Sequence, residues 1–177
     1  MPPEEQFIPR LNDNGIRGNP YWYGSNPYYV AGWGMPNCTC YAWGRFWEGA
    51  GQEHRPNLST GNANDWWNYN DGYERGNQPA LGAVLCLYGG IFSGDGHVAI
   101  VEQINPDGSI ETSESAWDAY FWELHHREPP NFVPYGGYQF QGFIYNPYSG
   151  GSPSGVGKKI WYYKRKLWKI EKEDILL

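Results

Sequence analysis

The stretch Asn105-Pro106-Asp107-Gly108 constrains this chain more than any other. Proline presets the second position of a turn and glycine is free to take positive φ, so the chain reverses here. Before the turn runs an apolar segment, His97-Val98-Ala99-Ile100-Val101, and after it comes the strand-like 109–115. The pattern predicts a β-hairpin over 97–115. Its register has two solutions. If Asn105 pairs with Gly108, His97 stands opposite Ala116 and Glu114 becomes its diagonal neighbour on the same face. A three-residue loop with a bulge at Gly108 shifts the pairing by one and turns Glu114 away, unless a second bulge restores it.

Strand-like patterning also covers 83–88 and 138–145, so a sheet occupies the second half of the chain. The first half reads differently. Tyr41, Ala42, Phe46 and Trp47 fall at helical intervals and Gly49 with Gly51 closes the segment, which predicts a helix of about three turns starting near Cys38. A second short helix is expected over 62–69, where Ala63, Trp66 and Trp67 share a face. Residues 1–35, rich in Gly, Asn, Pro and Tyr without a period, read as an irregular arm that wraps the domain. The expected organisation is that arm, a domain over 36–148, a Gly/Ser/Pro linker over 149–157 and a basic aromatic tail over 158–177. The 177 residues suit one domain, and 10 Trp with 15 Tyr give it an aromatic surface as well as an aromatic core.

Charge excludes some functions. A formal net charge of -6 offers no broad attraction to nucleic acid or to anionic wall polymers. The concentrated positive stretch lies at 158–169, as a solvated terminal element or a contact surface. No segment has the length and apolarity to span a bilayer, and the N-terminus lacks a signal-peptide layout, so delivery across a membrane is expected to depend on something else. Three cysteines, an odd number, leave at least one thiol free. Cys38 and Cys40 are too close for a relaxed disulfide and lack zinc-site spacing, so no metal and no cofactor is expected.

Two residues stand where chemistry could occur. Cys38 immediately precedes the predicted helix, whose free N–H groups and dipole favour a thiolate, although a buried inert cysteine fits the same position. His97 opens a strand after Gly94-Asp95-Gly96, where a rigid scaffold meets flexible backbone; a surface histidine would fit there as well. His54, His125 and His126 show no partner pattern. The backbone N–H of Cys38, with the Asn37 amide as a second donor, is the candidate oxyanion site.

Five blocks together resemble the CHAP amidohydrolase/peptidase family in order and spacing, over about residues 36–145. They are Asn37-Cys38-Thr39-Cys40-Tyr41-Ala42-Trp43-Gly44-Arg45, Asn62-Ala63-Asn64-Asp65-Trp66, Pro79-Ala80-Leu81-Gly82-Ala83-Val84, Gly96-His97-Val98-Ala99-Ile100-Val101-Glu102, and Asp107-Gly108-Ser109-Ile110 with Ser113-Glu114. The resemblance implies a papain-like α+β fold, with the N-terminal helices carrying the cysteine packed on an antiparallel sheet carrying the histidine. It implies Cys38 as nucleophile, His97 as base and Glu114 as the acidic third member, which selects the register that brings Glu114 to His97. Cys40 becomes a helix residue. Asn37 stands where the family commonly has Gln, and Ala116 where it often has Asn, departures that bear on efficiency more than on reaction type. No counterpart of the family's occasional calcium-binding loop is present.

The activity so implied is hydrolysis of an amide bond in bacterial peptidoglycan, as an endopeptidase or an N-acetylmuramoyl-L-alanine amidase. The expected setting is a phage lysin or tail-associated lysin, in the virion or released to the cell wall, with phage tail proteins or a missing wall-binding domain as partners. The alternative from a different class is a non-catalytic wall-binding or virion structural module.

Overall fold

A computed structural model of the chain describes residues 7–91, 94–133 and 136–149. Three helices, α1 (Pro27–Val30), α2 (Cys38–Ala50) and α3 (Ala63–Trp66), precede or flank six strands, β1 (Arg75–Gly76), β2 (Val84–Gly89), β3 (His97–Ile104), β4 (Ile110–Ala116), β5 (Tyr120–Arg127) and β6 (Tyr138–Ile144). The strands form one antiparallel sheet in the order β1-β6-β2-β3-β4-β5. This is the expected α+β arrangement: a helix that begins at Cys38 packs on a sheet whose third strand begins at His97.

The central strands read as nearly continuous apolar runs because both faces of the sheet are covered. Val84, Cys86, Val98, Ile100 and Ile144 meet Ala42, Trp43, Phe46 and Trp47 of α2 and Trp66 of α3 in one core. Leu85, Leu87, Ala99, Val101, Ile110 and Phe143 build a second core with Phe132. Residues 7–35 cover the outer side of α2. Trp22 is fully buried and donates its indole N–H to the Tyr41 carbonyl at 3.0 Å. The fit explains Gly44, since a Cβ there would lie 2.6 Å from the Trp22 ring and 2.7 Å from the Tyr21 carbonyl.

The hairpin resolves its two alternatives by using both irregularities. Asn105 N–H donates to Ser109 O at 2.8 Å and Gly108, at φ +89°, donates to Asn105 O at 3.0 Å, giving the three-residue loop. Ile104 then faces Ile110 and Gln103 faces Glu111, but Val101 faces Thr112, so Glu102 is an extra residue bulged out of β3. The second shift cancels the first. Continuing that inner register sets His97 across from Ala116, with Glu114 on its diagonal.

Structure and expectation part at α3, β1 and β5. The helix expected over 62–69 stops at Trp66, because the Arg75 guanidinium takes the carbonyls of Trp66, Trp67 and Tyr69 that further turns would use. Strands β1 and β5 were not anticipated; Tyr120–Arg127 mixes aromatic, acidic and basic residues without alternation and forms a half-exposed edge. Ser149, expected to open a linker, is buried and donates to Leu81 O at 2.8 Å. The rest of that segment and the basic tail lie outside the described residues. No described helix is long and apolar enough to cross a membrane.

Candidate active site

Cys38 is the first residue of α2 and is partly exposed. Asn37 caps the helix: its Oδ1 accepts from the Thr39 N–H at 2.9 Å and the Thr39 hydroxyl at 2.7 Å. The Asn37 Nδ2 donates to Trp33 O at 3.1 Å, which ties the helix start to the preceding loop and leaves the amide a second proton. The N–H of Cys38, in the first turn, has no carbonyl four residues back within the helix to bond. A partial positive charge therefore stands at the helix start that carries Cys38.

His97 is 8% exposed and Glu114 1%. The His97 Nε2 lies 3.0 Å from Glu114 Oε2, and the Cys38 side chain is the ring's other partner, in hydrogen-bonding and charge contact with it. Burial opposes a charge on the ring, but the Glu114 carboxylate, then the ring's hydrogen bonds to Cys38 and Glu114, outweigh it and raise the His97 pKa. For Glu114, burial would raise the pKa, yet the positive groups His97 and Arg127 hold the carboxyl well below its usual range. The structure thus brings Cys38, His97 and Glu114 into one chain of contacts.

Three more side chains grip Glu114, all from β5. Arg127, 2% exposed, donates to Oε2 at 2.6 Å; Tyr120 donates its hydroxyl to Oε1 at 2.9 Å; the His125 Nδ1 is 3.4 Å from Oε1. Burial and then the neighbouring carboxylate raise the Tyr120 pKa, so it remains a donor. Sequence reading missed Tyr120 and Arg127 and set His125 aside, since nothing local marked 120–127 as a strand beside β4. Half of that segment is apolar (Tyr120, Phe121, Trp122 and Leu124), and nothing in it marks Arg127 for burial.

The remaining thiols differ from Cys38. Cys40 is fully buried and its thiol is pushed up to about 12 by burial, with Cys38 next; burial likewise raises Cys86. His126 sits between Glu111 and Glu128 on the surface, and His54 stacks on Tyr148. Among the described residues, no group of three or more His, Cys, Asp or Glu is arranged to hold a metal ion.

The two halves of the site are locked together by charge. Arg45 of α2 places Nε 2.8 Å from Oε1 and one terminal nitrogen 2.9 Å from Oε2 of Glu102, the bulged residue of β3, and both are buried. Glu102 also accepts from the Ser113 hydroxyl at 2.6 Å and the Arg10 N–H at 2.7 Å. The helix that carries Cys38 is thereby fixed against the strand that carries His97.

The family model for the CHAP domain matches residues 25–116, just over half of the chain. The chain belongs to the CHAP domain family. Among curated proteins, this CHAP domain is 32% identical over 108 residues to N-acetylmuramoyl-L-alanine amidase sle1 of Staphylococcus epidermidis, covering 56% of this chain and 29% of that protein. Staphylococcal secretory antigen SsaA of the same species is 35% identical over 105 residues, covering 58% of this chain and 36% of that one. The matches therefore span about a third of each relative's length. A crystal structure of an N-acetylmuramoyl-L-alanine amidase from Staphylococcus aureus is similar at 25% identity with a TM-score of 0.41, covering 61% of this chain and 32% of that one. Beside the Cys38 turn, the CHAP domain opens a cavity of about 340 Å³ whose lining includes Tyr28, Trp33, Asn37, Thr39, Thr60 and Asn62. Neither Cys38 nor His97 is among the residues that line it.

Proposed function

We propose that this CHAP domain is a cysteine hydrolase that cuts an amide bond of bacterial peptidoglycan. The observation that carries the reading is the contact of Cys38, at a helix start, with an imidazole held from behind by Glu114. Cys38 passes its proton to His97 and its sulfur attacks the scissile carbonyl carbon. The developing oxyanion takes hydrogen bonds from the Cys38 N–H and the free proton of the Asn37 amide. His97 then protonates the leaving amine, the C–N bond breaks, and a thioester remains on Cys38. Water, deprotonated by His97, hydrolyses the thioester and restores the thiol.

One relative is an N-acetylmuramoyl-L-alanine amidase, which favours the sugar–peptide amide over a bond within the peptide. A phage setting, with tail proteins as partners, rests on the family resemblance alone and is part of the same proposal. Digestion of Gram-positive walls followed by mass spectrometry of the fragments tests the reaction. Wild-type protein is expected to release fragments with new amine termini, and Cys38→Ala none above background. Wall fragments released equally by both would overturn the assignment of Cys38.

A further inference from the structure

Glu114 presents an imbalance that the His97 contact alone does not resolve. A carboxylate buried to 1% exposure would pair with a positive His97, and that pair would be neutral by itself. Adding a Cys38 thiolate beside the ring would leave the buried site with a net negative charge, which a low-dielectric interior disfavours. Arg127 supplies the missing positive charge. Its three nitrogens are all committed: Nε to the Thr112 hydroxyl at 2.8 Å, Nη1 to Phe132 O at 3.1 Å, and Nη2 to Glu114 Oε2 at 2.6 Å. The guanidinium therefore cannot swing away without breaking bonds to β4 and to the loop after β5. Arg127, Glu114, His97 and Cys38 form a row of alternating charge, neutral as a whole when the last two carry an imidazolium and a thiolate.

The geometry points to Arg127 as the positioning residue of the site: it fixes Glu114 Oε2 against the His97 ring and balances the carboxylate, so that a charge on His97 is matched by a thiolate at Cys38. The inference rests on Cys38 and His97 reacting as a pair, as in the proposed function. Arg127 touches no reacting atom and acts through Glu114. The other titratable groups around the carboxylate and the ring are Tyr120 and His125 of β5, the latter backed by Glu123, and Tyr138 of β6, its ring centroid 6.1 Å from that of His97. None of them replaces a fixed positive charge: Tyr120 is a neutral donor, and His125 also lies 2.8 Å from Glu123.

The test is the rate of Cys38 alkylation by iodoacetamide as a function of pH, which needs no substrate and is selective because Cys40 and Cys86 are buried. In the wild-type protein the rate should rise with pH through a midpoint that depends on His97 as well as Cys38, so that His97→Ala displaces it. Arg127→Gln makes the site more negative, so that midpoint should move up by roughly one pH unit. Arg127→Lys, which keeps the charge but not the fork, should restore most of the shift. A purely structural role would lower stability and leave the midpoint in place, and that result overturns the assignment, as does a Lys variant that behaves like Gln. Where the Gln variant does not fold, Arg127→Lys decides: a wild-type midpoint despite weakened bonds to Thr112 and Phe132 supports the assignment, and an upward displacement overturns it. A wild-type profile insensitive to His97→Ala would overturn the paired-site reading itself along with this one, whereas a His97-dependent profile unmoved in Arg127→Gln overturns this one alone.

Discussion

Glu114 is held by groups from two strands and is worth most to the fold in company with Arg127. Removing one member of a buried ion pair strands the other charge, at a typical cost of about 3–5 kcal/mol, whereas removing both costs far less. Glu114→Gln is therefore expected to lower the unfolding free energy in urea by several kcal/mol, since Arg127 is left facing a neutral amide. The double variant Glu114→Gln/Arg127→Met is expected to recover much of that loss. Additive losses in the two single variants and the double would mean the pair is not the unit of stability. Asn37 serves at two levels, as helix cap and as amide donor, and serine separates them because it caps about as well as asparagine. Asn37→Ser should unfold within about 0.5 kcal/mol of the wild-type protein. Its turnover of wall fragments should fall by about 10²-fold if the amide takes part of the oxyanion charge. Unchanged turnover would reduce Asn37 to a cap.

Among the elements, β3 was legible because its apolar run is buried on both faces, and α2 because its spacing, cap and closing glycine agree. The meeting of His97 and Glu114 was legible only as one of two registers. What decides between them is the bulge at Glu102, and that bulge accompanies a buried contact with Arg45, 57 residues earlier in the chain. No local pattern reports a partner at that distance. For the same reason β5 stayed hidden: Tyr120–Arg127 forms the outer edge of the sheet, where one flank is wet and alternation is not enforced. Yet that edge delivers Tyr120, His125 and Arg127 to the carboxylate. Local texture thus offered Cys38 and His97 as candidates that the family resemblance selected, while the groups that set the electrostatics of Glu114 arise only when the sheet closes.

At the scale of the whole molecule, buried ion pairs join helix to sheet and strand to strand beside the apolar cores, and the His97–Glu114 contact makes stability depend on pH. The folded Glu114 pKa lies below its unfolded value of about 4.3, so its contribution is fully present above that pH and is lost as pH falls further. The folded His97 pKa lies above its unfolded value of about 6.5, so its contribution is complete below that pH and fades as pH rises toward the folded value. The two statements describe one interaction seen from its two partners, and together they place its full strength between about pH 4.3 and 6.5. Subtracting the melting temperature of Glu114→Gln/Arg127→Met from that of the wild-type protein, across pH 3–9 at fixed ionic strength, removes the titration of distant surface groups from the comparison. The difference is expected to be largest inside that interval and to shrink on both sides. A difference that keeps growing above pH 7 would mean that Glu114 does not stabilise the charged form of the imidazole, and the row of charge from Arg127 to Cys38 would have to be redrawn.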